Sequence, residues 1–397
     1  MSPGAGLGVS ASLTVLVNAG PWLPVPPKGY GGIETVVATL VPELRAAGVR
    51  VVLATVGPTT LPADGYVRTM DEPQFARIAA PYNQSSGIAH AHMHAVVEHL
   101  RRDRTVDLVH DHLEVVGPAV LAAMGDDAPP VLQTLHWDLR KHPGFYGTFD
   151  GHGRVAFAAV SRSQLDRAPQ RLRAQTLDVV PLAVPQVPAL GLPRGRHALM
   201  LARITKDKGQ DMAARVCSAA GVRLVLAGPV AGIDEPAELR ARLAAGDAAL
   251  AQHADVRFFL DEVAPLLDRD RVRWVGGVAG EAKERLLQTA VALLAPNRWP
   301  EPGATGVVEA LSRGVPVVAT PLGVLPSLVR HGETGFLAET EQDLARYLPM
   351  AAHLDSDACR ASVSGWTPAA MAERYIALYR KLLDTVPAQR TVAVAAR

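Results

Sequence analysis

Only two cysteines, Cys217 and Cys359, occur in the 397 residues. Two thiols exclude a disulfide framework and a four-thiolate metal site. Both fall in segments of helical pattern and read as buried free thiols. Long apolar runs are missing as well: nothing approaches the ~18 apolar residues that span a bilayer. The first twelve residues are rich in Gly, Ser and Ala and carry no basic residue, so they lack the n-region of a signal peptide. The short run Leu13–Val17 reads as a first strand. These absences predict a cytoplasmic chain with a loose N-terminus. Charge of one sign is in no excess either. Forty Lys+Arg stand against thirty-nine Asp+Glu, a net charge of +1. That balance excludes nucleic-acid binding by bulk electrostatics and a polybasic membrane anchor. An anionic ligand must then be held by a few placed cations. Lysine is scarce, six of the forty basic residues, a GC-rich, actinobacterial-like composition in which each remaining lysine merits inspection.

What is present fits a globular enzyme. Hydrophobic residues make up 48% and charged residues 20%, and the length suits two domains of roughly 150–200 residues each. Short apolar runs alternate with longer stretches of helical period, the pattern of parallel α/β sheets. Candidate strands in the first half are Leu13–Val17, Arg50–Val56, Val106–His110, Val131–Leu135, Ala156–Val160 and Asp178–Val180. Ile33–Ala47 places Ile33, Val36, Val37, Leu40, Val41 and Leu44 on one helical face, with Gly31-Gly32 before it, Gly48 after it, and Pro42 as an expected kink.

The stretch Leu182–Arg196 holds three prolines and two glycines without helical period, and marks the domain boundary. Strands then resume at Ala198–Leu201, Val222–Ala227, Val272–Val275, Val291–Leu294 and Val315–Ala319, with helices at Asp211–Ala220, Glu281–Thr289 and Gly306–Arg313. Two successive βα series imply two Rossmann-like domains, residues 1–185 and 186–365, sharing a cleft at the carboxyl ends of their strands. The last helix, within 366–385, carries Met371, Tyr375, Ile376, Tyr379 and Leu382 on one side and is expected to dock back on the first domain. Residues 386–397 read as a tail.

Chemistry concentrates in three loops. In Asn297–Thr320 the order is strand, polar loop, helix, glycine stop, strand. Glu301 lies in the loop and Glu309 about one turn into the helix, with Gly303, Ala304, Thr305 and Gly306 between them. Free N–H groups at that helix start make an anion site. Two carboxylates beside it make sense if each accepts hydroxyls of a ligand that extends to either side of a diphosphate. The plain alternative is a dipole-complementing Glu and a solvated helical Glu. In Leu201–Gly209, Arg203 and Lys208 fit a diphosphate, the Arg as a fork and the Lys as a point charge; a solvated loop is the alternative. In Val25–Glu34, Gly31-Gly32 would let backbone approach a phosphate, though a tight turn explains them nearly as well.

Nine of the thirteen histidines fall between His90 and His152. The alternation His90, His92, His94 raises a metal site, but no nearby Cys or HExxH spacing supports one, and no metal is expected. His110 and His136 each close a candidate strand, where active-site groups gather. The acidic triplets Asp268–Asp270 and Asp355–Asp357 read as surface turns.

Taken in order, PPKGYGGIE, HDHLE, TLH, VSRSQ, RITKDKG, EPGATGVVEALSRGVPVVAT and GETGFL resemble a retaining glycosyltransferase of the GT-B fold, family 4, over nearly the whole chain. The Glu301–Glu309 spacing is that family's E-x7-E motif, and Arg203–Lys208 its R-x4-K motif. The resemblance implies that Glu301 binds donor-sugar hydroxyls and Glu309 the ribose diol. It further implies that Arg203 and Lys208 neutralise the diphosphate, approached by Gly31 and Gly32. Backbone around Val275, Gly276 and Val278 would read the base, and His136 would lie near the reacting sugar and acceptor. The family commonly has Phe-Gly-Leu where this chain has Gly303-Ala304-Thr305, which puts donor-sugar identity in question.

The implied reaction moves a sugar from a nucleoside diphosphate, UDP first, to an acceptor hydroxyl with retention. It uses no cofactor and no obligatory membrane contact. His99–Arg104 is the better candidate for any peripheral contact. Acceptor contacts are expected from Tyr30, His110, His136, Trp137 and Tyr146. The aromatic residues Trp22 and Phe145 of the same loops could stack on a sugar or polyketide-like ring, or merely pack the loops. Two other readings stay open: another GT-B enzyme, such as a nucleotide-sugar epimerase or phosphorylase, and a non-catalytic nucleotide-sugar binder.

Overall fold

The computed structural model describes residues 12–78, 82–268 and 270–386. The expected loose N-terminus and tail lie outside these residues, apart from Ser12 and Val386.

Runs of Val, Leu and Ala too short for helices become strands buried on both faces. In the first half these are β1 (Thr14–Asn18), β2 (Arg50–Val56), β3 (Gly65–Met70), β4 (Leu108–Asp111), β5 (Val131–Leu135), β6 (Val155–Ala159) and β7 (Thr176–Val179). They form one seven-stranded sheet in the order β3-β2-β1-β4-β5-β6-β7, with every pairing parallel. Residues 180–196 hold no helix or strand. The second series is β8 (His197–Leu201), β9 (Arg223–Ala227), β10 (Val272–Trp274), β11 (Ala292–Ala295), β12 (Val317–Ala319) and β13 (Gly335–Leu337). These form a six-stranded parallel sheet in the order β10-β9-β8-β11-β12-β13. Both are doubly wound, with strand order reversing beside β1 and beside β8. A ligand crevice is expected at the carboxyl ends of those two strands. The chain thus has two Rossmann-like units of the GT-B kind.

Two strands escape the sequence pattern, and both are edge strands. β3 is half-exposed and alternates weakly; β13 has three residues. A short edge strand carries no period strong enough to read. The helix Gly32–Ala46 runs through Pro42 without a break, so the expected kink does not interrupt it. Tyr82–Arg102 is a helix of 21 residues. Its 3.6-residue period places His92 in the core, whereas His90 and His94 are exposed. The apparent alternation of these three histidines therefore gathers nothing.

The terminal helix Pro368–Thr385 buries Met371, Ala372, Tyr375, Ile376, Leu378, Tyr379 and Leu382. They join one core with Leu40 and Leu44 of helix Gly32–Ala46 and with β1 and β2. The chain's last helix is thereby bound to its first half. Among the described residues no helix is long and apolar enough to cross a membrane.

Candidate active site

The loops leaving β1 and β8 face one another. From the first unit Tyr30, Gly31, Gly32 and Thr35 line the gap; from the second, Ala202, Gly228, Gly277, Val278, Lys283, Thr305, Gly306 and Glu309. The cleft holds about 740 Å³ of empty space. It opens into a neighbouring cavity that shares Gly29, Thr35, Val278 and Lys283 with it.

The loop after β11 explains its own sequence. Ala304 takes the left-handed conformation, φ 48° and ψ 48°, immediately before helix Thr305–Ser312. Val307 and Val308 both donate to the Ala304 carbonyl, so the N–H groups of Thr305 and Gly306 lie ahead of the helical ladder, at the cleft. Gly306 sits against β8, where an added Cβ would stand 3.3 Å from the Leu201 carbonyl oxygen. Gly303 packs inward: a Cβ there would lie 2.9 Å from Leu182. Gly323, at φ 66°, is obligatory because a Cβ would come within 2.3 Å of the Glu301 backbone. That close turn lets Val324 donate to the Glu301 carbonyl at 2.9 Å and holds the glutamate in place.

Both carboxylates are buried and each is paired with a lysine. Glu301 Oε2 accepts from Lys208 Nζ and, at 3.1 Å, from Asn297 Nδ2. Lys208 also lies over the Trp299 ring, 5.4 Å from its centre. Glu309 Oε1 accepts from Lys283 Nζ at 2.7 Å. Arg203 lies 5.5 Å from the centre of the Tyr30 ring. Tyr30 first, then Asp255 and Glu301, hold the guanidinium above its ordinary value against the opposing effect of burial. Of the predicted residues, Glu309, in helix Thr305–Ser312, lines this cleft; Arg203 lies against Tyr30 of its wall, and Lys208 and Glu301 pair with each other on the loops after β8 and β11.

The two loops are stitched together by residues with no motif of their own. Arg298 N donates to the Asp207 carbonyl at 2.8 Å, and its guanidinium reaches the Lys206 carbonyl at 3.0 Å and both Asp211 oxygens at 2.7 and 2.6 Å. Gly209, at φ 78°, admits the close approach, since a Cβ would be 2.4 Å from the Pro296 carbonyl oxygen. Sequence reasoning missed Arg298, Asp211 and Lys283. Lys283 could have been found from lysine scarcity alone; the other two carried no signal.

Several expected placements need correction. Val275 packs toward the core, and Gly276 is a turn glycine at φ 80° whose added Cβ would strike the Asp234 carbonyl oxygen at 2.0 Å. Gly277 and Val278, in the same stretch expected to read the base with its backbone, line the cleft. Gly31 is needed because Pro27 crowds it: a Cβ would be 2.6 Å from Pro27 Cβ. Tyr30 lines the cleft beside Arg203.

His110 is fully buried and held on both nitrogens, by Thr134 at 2.8 Å and by Tyr379 of the terminal helix at 2.7 Å. It anchors that helix and cannot touch an acceptor. Tyr146 is likewise buried and donates to Glu114 Oε2 at 2.8 Å; its hydroxyl is spent inward. Phe145 stacks on Phe149 at 4.8 Å as loop packing. Trp137 is half-buried, stacked on His142 at 5.8 Å and covered by Lys141 at 5.5 Å. His136, half-buried, follows β5 directly.

Burial controls the ionisation of this region. Loss of water pushes Glu34, Asp111 and Glu114 up to about 7. The same effect pulls His92, His110 and His136 down to about 3, and His112 well below its ordinary value. No cluster of three His, Cys, Asp or Glu that could hold a metal occurs among the described residues.

A chain that folds into two facing doubly wound units, with paired carboxylates around a helix start, has relatives. The family model of glycosyl transferases group 1 matches residues 192–358, and that of glycosyltransferase family 4 matches residues 30–198. Together the matches run across most of the chain, and it belongs to the GT-B glycosyltransferases of the group 1 type. No curated protein matches it significantly.

Among solved structures it is similar to AviGT4, a glycosyltransferase involved in avilamycin A biosynthesis. That match has 26% identity and a TM-score of 0.60, over 94% of this chain and 99% of the other. It also resembles sucrose-phosphate synthase from Thermosynechococcus elongatus (17% identity, TM-score 0.69, 94% and 100% covered). HepE of Anabaena, solved with UDP and glucose, is a third (15% identity, TM-score 0.63, 93% and 100% covered). The last two likenesses concern the fold.

Proposed function

We propose that this enzyme transfers a sugar from a nucleoside diphosphate to an acceptor hydroxyl with retention at the anomeric carbon. The observation that carries the reading is the arrangement of Glu301 and Glu309 on either side of a helix start at the interdomain cleft. Each is held by a lysine, with Arg203 beside them. Glu301 would accept donor-sugar hydroxyls, Glu309 the ribose diol, and the N–H groups of Thr305 and Gly306 a phosphate between them. Arg203 and Lys208 would meet the charge that develops on the departing diphosphate.

In the front-face course, the bond from the anomeric carbon to the phosphate oxygen breaks and the acceptor oxygen bonds on the same face. The acceptor's proton passes to a phosphate oxygen of the leaving group, so no protein nucleophile is consumed. UDP-linked donors are favoured, with GDP and dTDP next. The acceptor class proposed is a small molecule or natural product, in keeping with the likeness to AviGT4. The cations in the cleft are side chains, so turnover should persist in EDTA. The enzyme is placed in the cytoplasm, with its donor.

A thermal-shift panel of UDP, GDP, ADP and dTDP, followed by the corresponding sugars, tests the donor site; no shift with any of them defeats the assignment. Nucleotide release that depends on an added acceptor separates a transferase from an epimerase or a non-catalytic binder. An NMR spectrum of the product's anomeric proton reads retention directly.

A further inference from the structure

The histidines after β4 and β5 form a connected set whose proton positions can be worked out. Tyr379 Oη lies 2.7 Å from His110 Nδ1, His110 Nε2 lies 2.8 Å from Thr134 Oγ1, and Thr134 Oγ1 donates to Tyr375 Oη at 3.0 Å. Thr134 spends its proton on Tyr375, so it accepts from His110 Nε2–H; His110 Nδ1 then accepts from Tyr379. His110 is therefore the Nε2–H tautomer.

The next ring, His112, is tilted 40° to His110 with ring centres 4.2 Å apart, and is completely enclosed. Its Nδ1 lies 2.8 Å from His136 Nε2, and its own Nε2 is buried without a partner. Two neutral imidazoles joined this way share one proton along the contact. If His112 were protonated on Nε2, a buried N–H would be orphaned, the least tolerated kind of unpaired group. Protonation on Nδ1 leaves only a lone pair unpaired and lets Nδ1–H donate to His136 Nε2. His136 must then carry its proton on Nδ1.

We propose that His112 is a positioning residue that holds His136 as the Nδ1–H tautomer, so that His136 meets a ligand as a hydrogen-bond donor and not as a proton acceptor. Glu114 completes the fixture. Its Oε1 accepts from the backbone N–H groups of both His136 and Trp137, while Tyr146 secures Oε2. Ring and backbone of His136 are thus held independently, and Nδ1 has no partner among the described residues. What His136 Nδ1–H would touch rests on the transferase reading above; its tautomer does not.

The test uses the full chain labelled with ¹⁵N-histidine, the His136 signal being identified by its loss in His136→Gln. Protonated Nδ1 and unprotonated Nε2 are expected; the reverse overturns the proposal. In His112→Leu the His136 nitrogens should move toward an average of the two tautomers. In the same variant kcat should fall roughly 10–100-fold, as when a partner orienting a functional histidine is lost, with donor KM little changed. Unaltered His136 nitrogens in a folded His112→Leu protein also overturn it. Should that variant not fold, the wild-type spectrum alone decides. If the nucleotide panel fails while Nδ1 is protonated, the transferase reading falls and the tautomer assignment stands.

Discussion

Lys208→Ala removes the cation paired with Glu301 and acts twice. Lys208 holds Glu301, which is only 8% exposed; without it that carboxylate keeps Asn297 as its side-chain partner. A hydrogen bond to a charged group is worth about 1.5–3 kcal/mol, so Glu301 should lose its fixed direction even before a donor binds. In the transition state the same lysine would meet charge leaving on the diphosphate. Loss of one such preorganised contact costs roughly 3–4 kcal/mol, or ~100–1000-fold in rate.

The assay is steady-state transfer with the donor selected by the thermal-shift panel, with Lys206→Ala as control. Lys206 is exposed two residues away, and its removal should change kcat/KM by no more than about twofold. Glu301→Gln provides the opposite perturbation. It frees Lys208 for phosphate, so the variant should bind UDP at least as tightly as the wild type while transferring sugar far more slowly. If Lys208→Ala turns over within about twofold of the wild type, the diphosphate assignment is wrong.

Lys283→Ala should raise the donor KM roughly 10–100-fold, the equivalent of about 1.4–2.8 kcal/mol, because Glu309 loses the ammonium that aims it. An unchanged KM would mean that Glu309 does not hold the ribose. Ala304→Gly should stabilise the second unit by about 1 kcal/mol, since an L-residue at φ 48° is disfavoured and glycine is not. A lower midpoint in urea would contradict this.

Stability should fall gently as pH drops from about 6.5 to 4.5 and steeply below that range. Glu34, Asp111 and Glu114 have raised native values, so the native state binds more protons there and they favour folding as pH drops through that window. His92, His110, His136 and His112 have depressed native values, so the unfolded state binds more protons and they favour folding as pH rises. Three acids offset three of the four histidines until the acids are protonated in both states; below that the whole histidine penalty acts. Urea midpoints that climb as pH falls from 6 to 3.5 would contradict the sign.

Most of the architecture was legible because parallel α/β units announce themselves locally. A buried strand followed by a helical period is a feature of some thirty consecutive residues, and most of the residues that line or support the cleft sit on the loops such units leave exposed. Glu301, Glu309, Arg203 and Lys208 could be singled out because each pair lies on one strand-loop-helix segment. Tyr146 and His110 were misjudged for the converse reason. An aromatic or histidine near a strand end has the same appearance in sequence whether it faces a ligand or, as here, a buried Glu114 or Tyr379. Lys283 reaches Glu309 across 26 residues, and Tyr379 reaches His110 across 269; no local period encodes such a partner.

By itself, then, the amino-acid order determined two βα series, a break between them, and the few cations that a nearly neutral chain can spare for an anion. Scarcity of lysine was informative, since two of the six lie at the cleft carboxylates. Tertiary structure alone decided which way each polar side chain turns. It set Lys208 on Glu301 and Lys283 on Glu309, drove the protons off the enclosed histidines, and closed the first unit with the last helix. Burial and pairing of polar groups depend on what the rest of the chain brings alongside, and that is settled only when the two sheets have formed and faced each other.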